Sequence, residues 1–178
     1  MKKFLVFLAA FGCTMALSAT TYTCHLKVTV NGYVTEQDQE QVEVTQTDGT
    51  YNLSLKNFAL VAGEERIPVG NIEVNGVTGI NEYGFTTITY NAPIAITEGD
   101  DPQYDYWMGP QLGEVPIDLT SRFTDTALSA TIDITLGDMI IAVNVFGVAP
   151  ELEGDVNHDG EVNISDVNRV IKIILNAE

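Results

Sequence analysis

The chain has 178 residues, with 8 Lys and Arg against 25 Asp and Glu and a formal net charge of -17. Loss of Lys2 and Lys3 with a leader would leave 6 basic against 25 acidic residues, or -19. A surface this acidic repels nucleic acid and anionic membranes, and no Lys/Arg cluster suited to phosphate occurs.

In chain order, a basic start at Lys2 and Lys3, an apolar run from Phe4 to Leu17 and the small residues Ser18 and Ala19 form a secretory signal peptide over residues 1–19. The run is too short for a comfortable membrane span, so no membrane-spanning segment is expected. An alternative reading makes Ala10-Phe11-Gly12-Cys13 a lipoprotein box with lipid on Cys13. Either way the protein is exported, to the periplasm, the cell surface or the medium. The remaining 159 residues (178 less 19) fit one medium domain, 20–149, and a small module, 150–178. Such a chain buries a real core without staples. Cys24 is the one cysteine past the leader, so no internal disulfide forms there, and it falls among apolar residues as a core filler.

From Thr20 to Gly147 the pattern is that of strands. Tyr22 to Val30 alternates Tyr22, Cys24, Leu26, Val28 and Val30 with Thr23, His25, Lys27 and Thr29, a strand with one wet face. Asn31-Gly32 and Asp48-Gly49 are tight hairpin turns. Between and after them come strands at Gln41–Thr47 and Thr50–Phe58. Ile72 and Val74 continue the pattern, Asn81 to Gly84 turns, and Phe85 to Ile96 is β-branched with a bend at Pro93. Strands at Val115–Leu119, Leu128–Leu136 and Met139–Phe146 complete the set. Eight to ten short one-sided strands joined by tight turns pair as antiparallel meanders around one core, and closure into a barrel removes exposed edges. A sandwich is the alternative.

The stretch Tyr104 to Leu119 concentrates Tyr104, Tyr106, Trp107 and Met108. These four are candidate ligand-binding residues, as an aromatic wall against a sugar or a small apolar molecule, or else a plug at one end of the core. No catalytic residues are expected. His25 lies on a wet face, and the pairs Glu64-Glu65 and Asp100-Asp101 are adjacent acids in loops, not carboxyls facing across a cleft.

The last segment carries an oxygen-rich loop. Asp155, Asn157, Asp159, Asn163 and Asp166 stand at positions 1, 3, 5, 9 and 12, Gly160 at the sharp turn, and Glu161 at position 7, where a backbone carbonyl points inward. Calcium takes six to eight oxygens, and this spacing gathers them around one point. Ca2+ is therefore the expected cofactor. Val167, Val170, Ile171, Ile174 and Leu175 then fall on one side of a short helix, with Ser165 a candidate N-cap.

Two resemblances follow. Residues 154–175 resemble one repeat of a type I dockerin, the module that plugs carbohydrate-active and surface proteins into cohesin domains. The resemblance implies the calcium set just named, and partner contacts from Ile164, Ser165 and the helix, including Val167, Val170, Ile171 and Ile174. Dockerins carry two repeats packed together and this segment has one, so the stripe docks on the barrel, on a second copy, or on a cohesin-like or other envelope partner. The stretches PVGNIEVNGVTG, AITEGDDP, WMGPQLGEVPIDL and ATIDITL resemble the calycin-like β-barrel domain of small secreted bacterial proteins. That resemblance implies an all-β, antiparallel, eight-stranded lipocalin-like barrel with the calcium loop and helix after it. The resulting expectation is an exported, non-catalytic binding or assembly protein. A purely structural envelope protein and a component of a carbohydrate-active enzyme are the alternatives.

Overall fold

The computed structural model describes residues 18–149, 154, 156, 162 and 164–175. The leader with Cys13, residues 150–153, and the expected calcium ligands Asp155, Asn157, Asp159, Glu161 and Asn163 lie outside the described residues.

One antiparallel sheet contains β1 (Ser18–Val30), β2 (Tyr33–Thr47), β3 (Thr50–Ala62), β4 (Glu65–Thr78), β5 (Ile80–Glu82), β6 (Phe85–Ala95), β7 (Glu114–Phe123), β8 (Ala127–Leu136) and β9 (Met139–Val148). Their spatial order is β4-β3-β2-β1-β9-β8-β7-β6-β5. Chain neighbours pair throughout, and the β1–β9 ladder, from Thr23↔Val148 to Val30↔Ile141, joins the two halves. The all-β antiparallel expectation holds. The strand count is nine where eight were expected, because the run that forms β4 breaks at Gly79 and resumes for three residues as β5.

That break shapes the molecule. β4 pairs with β3 and β5 pairs with β6, so residues 65–82 take part at both ends of the sheet and curl it round on itself. Farther along the seam, the Asn71 N–H donates to the Thr97 carbonyl at 2.9 Å and the Thr97 N–H to the Asn71 carbonyl at 3.1 Å. Gly70 has φ +121°, and a Cβ there would collide with the Thr97 carbonyl oxygen. The seam closes at that point because the residue beneath it has no side chain.

The tight turns form as the sequence predicts. Asn31-Gly32, Asp48-Gly49 and Tyr83-Gly84 each place both residues at positive φ, the geometry that matches the twist of a two-residue hairpin. The turns after β1, β3 and β8 lie at one end of the sheet, and those after β2, β5 and β7 at the other. The long β6–β7 connection starts from the first end.

β2 starts at Tyr33, eight residues before the stretch expected from alternation, because its polar first half pairs with β1 from Val30↔Tyr33 to Cys24↔Glu40. A bulge between Cys24 and Leu26 falls in this ladder, with Gln39 opposite at φ 68°. The β2–β3 ladder ends at Val42↔Leu55. Beyond it the strands are tied by a side chain. Gln37, 5% exposed, donates from Nε2 to the Ala59 carbonyl at 3.2 Å and to Glu40 Oε1 at 2.8 Å, and its Oε1 accepts from the Val61 N–H at 3.1 Å.

The helix α1 (Ile164–Leu175) follows the sheet, so Ser165 sits in its first turn rather than capping it. Among the described residues no helix is long and apolar enough to cross a membrane.

Gln37→Ala leaves the half-buried Val61 amide and the buried Ala59 carbonyl without the Gln37 partner. Urea unfolding should show a loss of about 1–3 kcal/mol with an unchanged m-value. A loss within experimental error would mean that the splayed strands need no strut.

Candidate functional site

The side chains that alternate inward are aliphatic along nearly every strand, and their burial follows a gradient. At one end Tyr22, Tyr51 and Phe123 fill the barrel. Tyr51 and Phe123 meet edge to face with centroids 5.3 Å apart. The Tyr22 hydroxyl donates to the Thr124 carbonyl at 2.5 Å. On β8, Leu128 and Ala130 are buried near this end, whereas Ile132, Ile134 and Leu136 are half-buried. β9 repeats the trend, from buried Val145 to half-buried Val143, Ile141 and Met139. So does β1, from buried Val28 to half-buried Val30. These residues keep inward parity while losing neighbours, so they face a cavity.

The cavity has a volume of about 430 Å³. It runs from the level of Leu128 and Val145 toward the end bearing the Asn31-Gly32 and Gly137-Asp138 turns, where Val30, Leu60, Ile67, Leu136, Met139 and Ile141 form its mouth. Among the described lining residues Phe58 is the one aromatic and Ser54 the one hydroxyl, and none is charged. With β4 and β5 counted as one stave the barrel has eight, just wide enough to be filled by side chains or to hold one small ligand. Here Val, Ile and Leu leave the upper part unfilled.

The β6–β7 connection completes the wall between β4 and β6. A 3-10 turn at Gly109–Leu112 lies against β4, where the Met108 N–H donates to the Pro68 carbonyl at 2.8 Å. Gly109 is so close that a Cβ would strike the Ile96 side chain and the Val69 carbonyl. Of the four candidate ligand residues, Met108 lines the cavity. Trp107 is buried outside it, 6% exposed, edge-on to Tyr104 at 5.2 Å. The Trp107 ring covers Gly99, where a Cβ would lie 2.5–2.6 Å from it. Asn57 pins the same loop, donating to Asp100 Oδ1 at 2.7 Å and accepting from the Asp100 N–H at 2.8 Å. Tyr106 is 59% exposed. The sequence reading did not single out the wall residues Ile132, Ile134, Ile141 and Val143 as ligand-facing. Their signal was a long inward-facing aliphatic alternation with no large side chain to fill the space it encloses.

In the tail, Asp166 is 3% exposed, and its Oδ1 accepts the Val156 N–H at 2.8 Å. The start of α1 is thereby held against the start of the loop, with Val162 close over Gly154. A loop that wraps a cation must close between these two points, so the placement of Asp166 fits a role as closing ligand. On α1, Ile164, Ser165, Val167, Val170, Ile171 and Ile174 are exposed.

Two titratable groups lie in the closed end. Burial pushes the Tyr22 phenol from 10.0 up to about 12 and the Cys24 thiol from 9.0 up to about 11. Both stay protonated in the folded chain at pH values where the unfolded chain has lost the proton. The folded state is thus at full strength below about pH 9 and loses stability as pH rises through 9 to 12. Urea unfolding at pH 8, 10 and 11 should show this decline, and it should be shallower in Tyr22→Phe. Iodoacetamide at pH 8 should leave Cys24 unmodified until the protein is unfolded; rapid native labelling would contradict a sealed end.

The sequence matches the family model described as calycin-like β-barrel domain over residues 19–165. Among curated proteins none matches. Among solved structures, one from Bacteroides fragilis NCTC 9343, which carries the provisional name of outer membrane protein, aligns with a TM-score of 0.53 at 17% identity. The alignment covers 73% of this chain and 50% of that protein, so this chain spans half the length of its structural relative. At that identity the likeness is one of fold.

Proposed function

This chain belongs to the calycin-like β-barrel domain family, and from that premise we propose that it is an exported, non-catalytic protein that holds a small apolar molecule in its barrel and is attached through its C-terminal segment. The cavity carries this reading. Its volume, about 430 Å³, lies in the range of small-molecule sites, and its wall is aliphatic. At about 24 cal/mol per Å³, an enclosed void of that size would forfeit about 10 kcal/mol, as much as the whole stability of an ordinary domain. An occupant or an open mouth relieves that cost. A glycan fits poorly, because sugar recognition needs polar groups and open aromatic faces, and this wall offers neither beyond Ser54 and Phe58. Among the described lining residues none supplies a general acid, a general base or an activated nucleophile, which supports a binding role over a catalytic one.

The same reading gives the tail the work of attachment at the cell envelope, a location consistent with the provisional name of the B. fragilis protein. Asp155, Asn157, Asp159, Asn163 and Asp166, with the carbonyl of Glu161, would hold Ca2+. The ion would fix the loop and so orient α1 toward a cohesin-like or other envelope partner. The exposed stripe on α1 favours, as a second reading, a purely structural protein whose barrel is an inert body.

Binding of the neutral fluorescent probe 1-N-phenylnaphthylamine tests the cavity. Purified protein should enhance its emission saturably, Val143→Trp should weaken binding at least tenfold, and Phe146→Trp, on the outer face of the same strand, should leave it unchanged. Equal binding by both variants, each shown to be folded by urea unfolding, would move the probe out of the barrel. Absence of binding to any of the three would leave the structural reading.

Calorimetric titration tests the tail. The wild type should bind one Ca2+ and Asp155→Ala should bind none, while the urea midpoint of the barrel is the same in both. Retained stoichiometric binding in Asp155→Ala would reject the loop as the site.

A further inference from the structure

The barrel has one sealed end and one open end, so the orientation of anything that enters it is set. The Tyr22, Tyr51 and Phe123 cluster blocks one end. An apolar body therefore goes in first, and any polar end stays at the mouth, level with Val30, Ile67 and Met139. What the mouth offers that polar end is decided by charge. Among the described residues, the turns and strand ends there carry Glu64 and Glu65 after β3, Glu114 at the start of β7 and Asp138 between β8 and β9, all exposed, with Arg66 as the one cation. Inside, no charged side chain lines the wall, and its one hydroxyl, on Ser54, belongs to a residue between the inward-facing Leu53 and Leu55.

Resting on the proposed ligand-binding role, we infer that the barrel selects neutral apolar molecules and rejects those with a free carboxylate, long-chain fatty acids included. A carboxylate drawn inside would lose its hydration with no cation to replace it and at most the Ser54 hydroxyl as a donor, and such a group is either neutralised or excluded. Left at the mouth, it would stand among four carboxylates offset, among the described residues there, by Arg66 alone, on a chain whose formal net charge is -17. An ester, alcohol or amide of the same chain meets neither obstacle. Size sets a second limit, since about 430 Å³ accommodates one slender chain or a compact ring system and not a two-chain lipid.

The test is displacement of 1-N-phenylnaphthylamine from the purified protein at pH 7.5 by decanoate, methyl decanoate and 1-decanol, each below its aggregation limit. Methyl decanoate and decanol should displace the probe at concentrations at least tenfold lower than decanoate. In Val30→Lys, which sets a cation at the mouth on a side chain long enough to reach water, decanoate should gain at least threefold relative to the ester. Decanoate competing within threefold of the ester in the wild type would overturn the selectivity while leaving the binding role intact. Failure of the probe itself to bind would remove both. A variant ratio equal to the wild-type ratio would overturn the assignment of selectivity to the mouth.

Discussion

An antiparallel sheet that is apolar on one face has to hide that face and also has two edges to account for. In this protein one segment meets both demands. Residues 65–82 pair with β3 through β4 and with β6 through β5, and the Asn71–Thr97 bridge ties the seam between them. Without that double allegiance the sheet would be an open ribbon with its Leu, Ile and Val side chains in water. The bridge in turn depends on Gly70, whose positive φ and missing Cβ let the Thr97 backbone come down onto β4. The cavity is a consequence of this closure.

Much of the barrel was legible in the sequence because its rules are local. The Asn31-Gly32 and Asp48-Gly49 turns announce positive φ at two successive residues, and they fix the register of the hairpins they join. The period-two alternation of Tyr22–Val30 and Leu128–Leu136 specifies which residues face in. The first half of β2 was not legible. Tyr33 to Glu40 is mostly polar, and its strand state comes from pairing with β1, which alternation cannot report. The inward turn of Gln37 is likewise a product of the bulge near Gln39. A glutamine in a polar stretch shows no sign that it will span two splayed strands.

The candidate site divides in the same way. Alternation says that Ile132, Ile134 and Val143 point inward, but not whether facing side chains meet across the barrel. That depends on stave number and curl, which only the assembled sheet decides. The aromatic stretch was conspicuous by composition, yet Trp107 and Met108 take different surroundings. Met108 is held at β4 by a backbone hydrogen bond to Pro68, and its flexible thioether reaches the cavity. Trp107 covers Gly99, and the loop beside it is fastened through Asn57 and Asp100. The large ring thus contributes to the wall from behind, keeping in place the segment whose neighbour lines the interior.

Charge then separates what the protein does inside from what it does outside. Four of the chain's 25 acidic residues stand at the barrel's mouth, so under the proposed binding role surface charge and ligand choice are not independent properties. A basic exterior on the same wall would draw fatty-acid carboxylates to the opening, whereas an acidic one would keep anions at a distance before the cavity is reached. Selectivity of this kind needs no specific contact inside the barrel. It follows from an interior without polar partners and a rim without enough cations to compensate, so substitutions at the rim would retune it while the core packing stays the same.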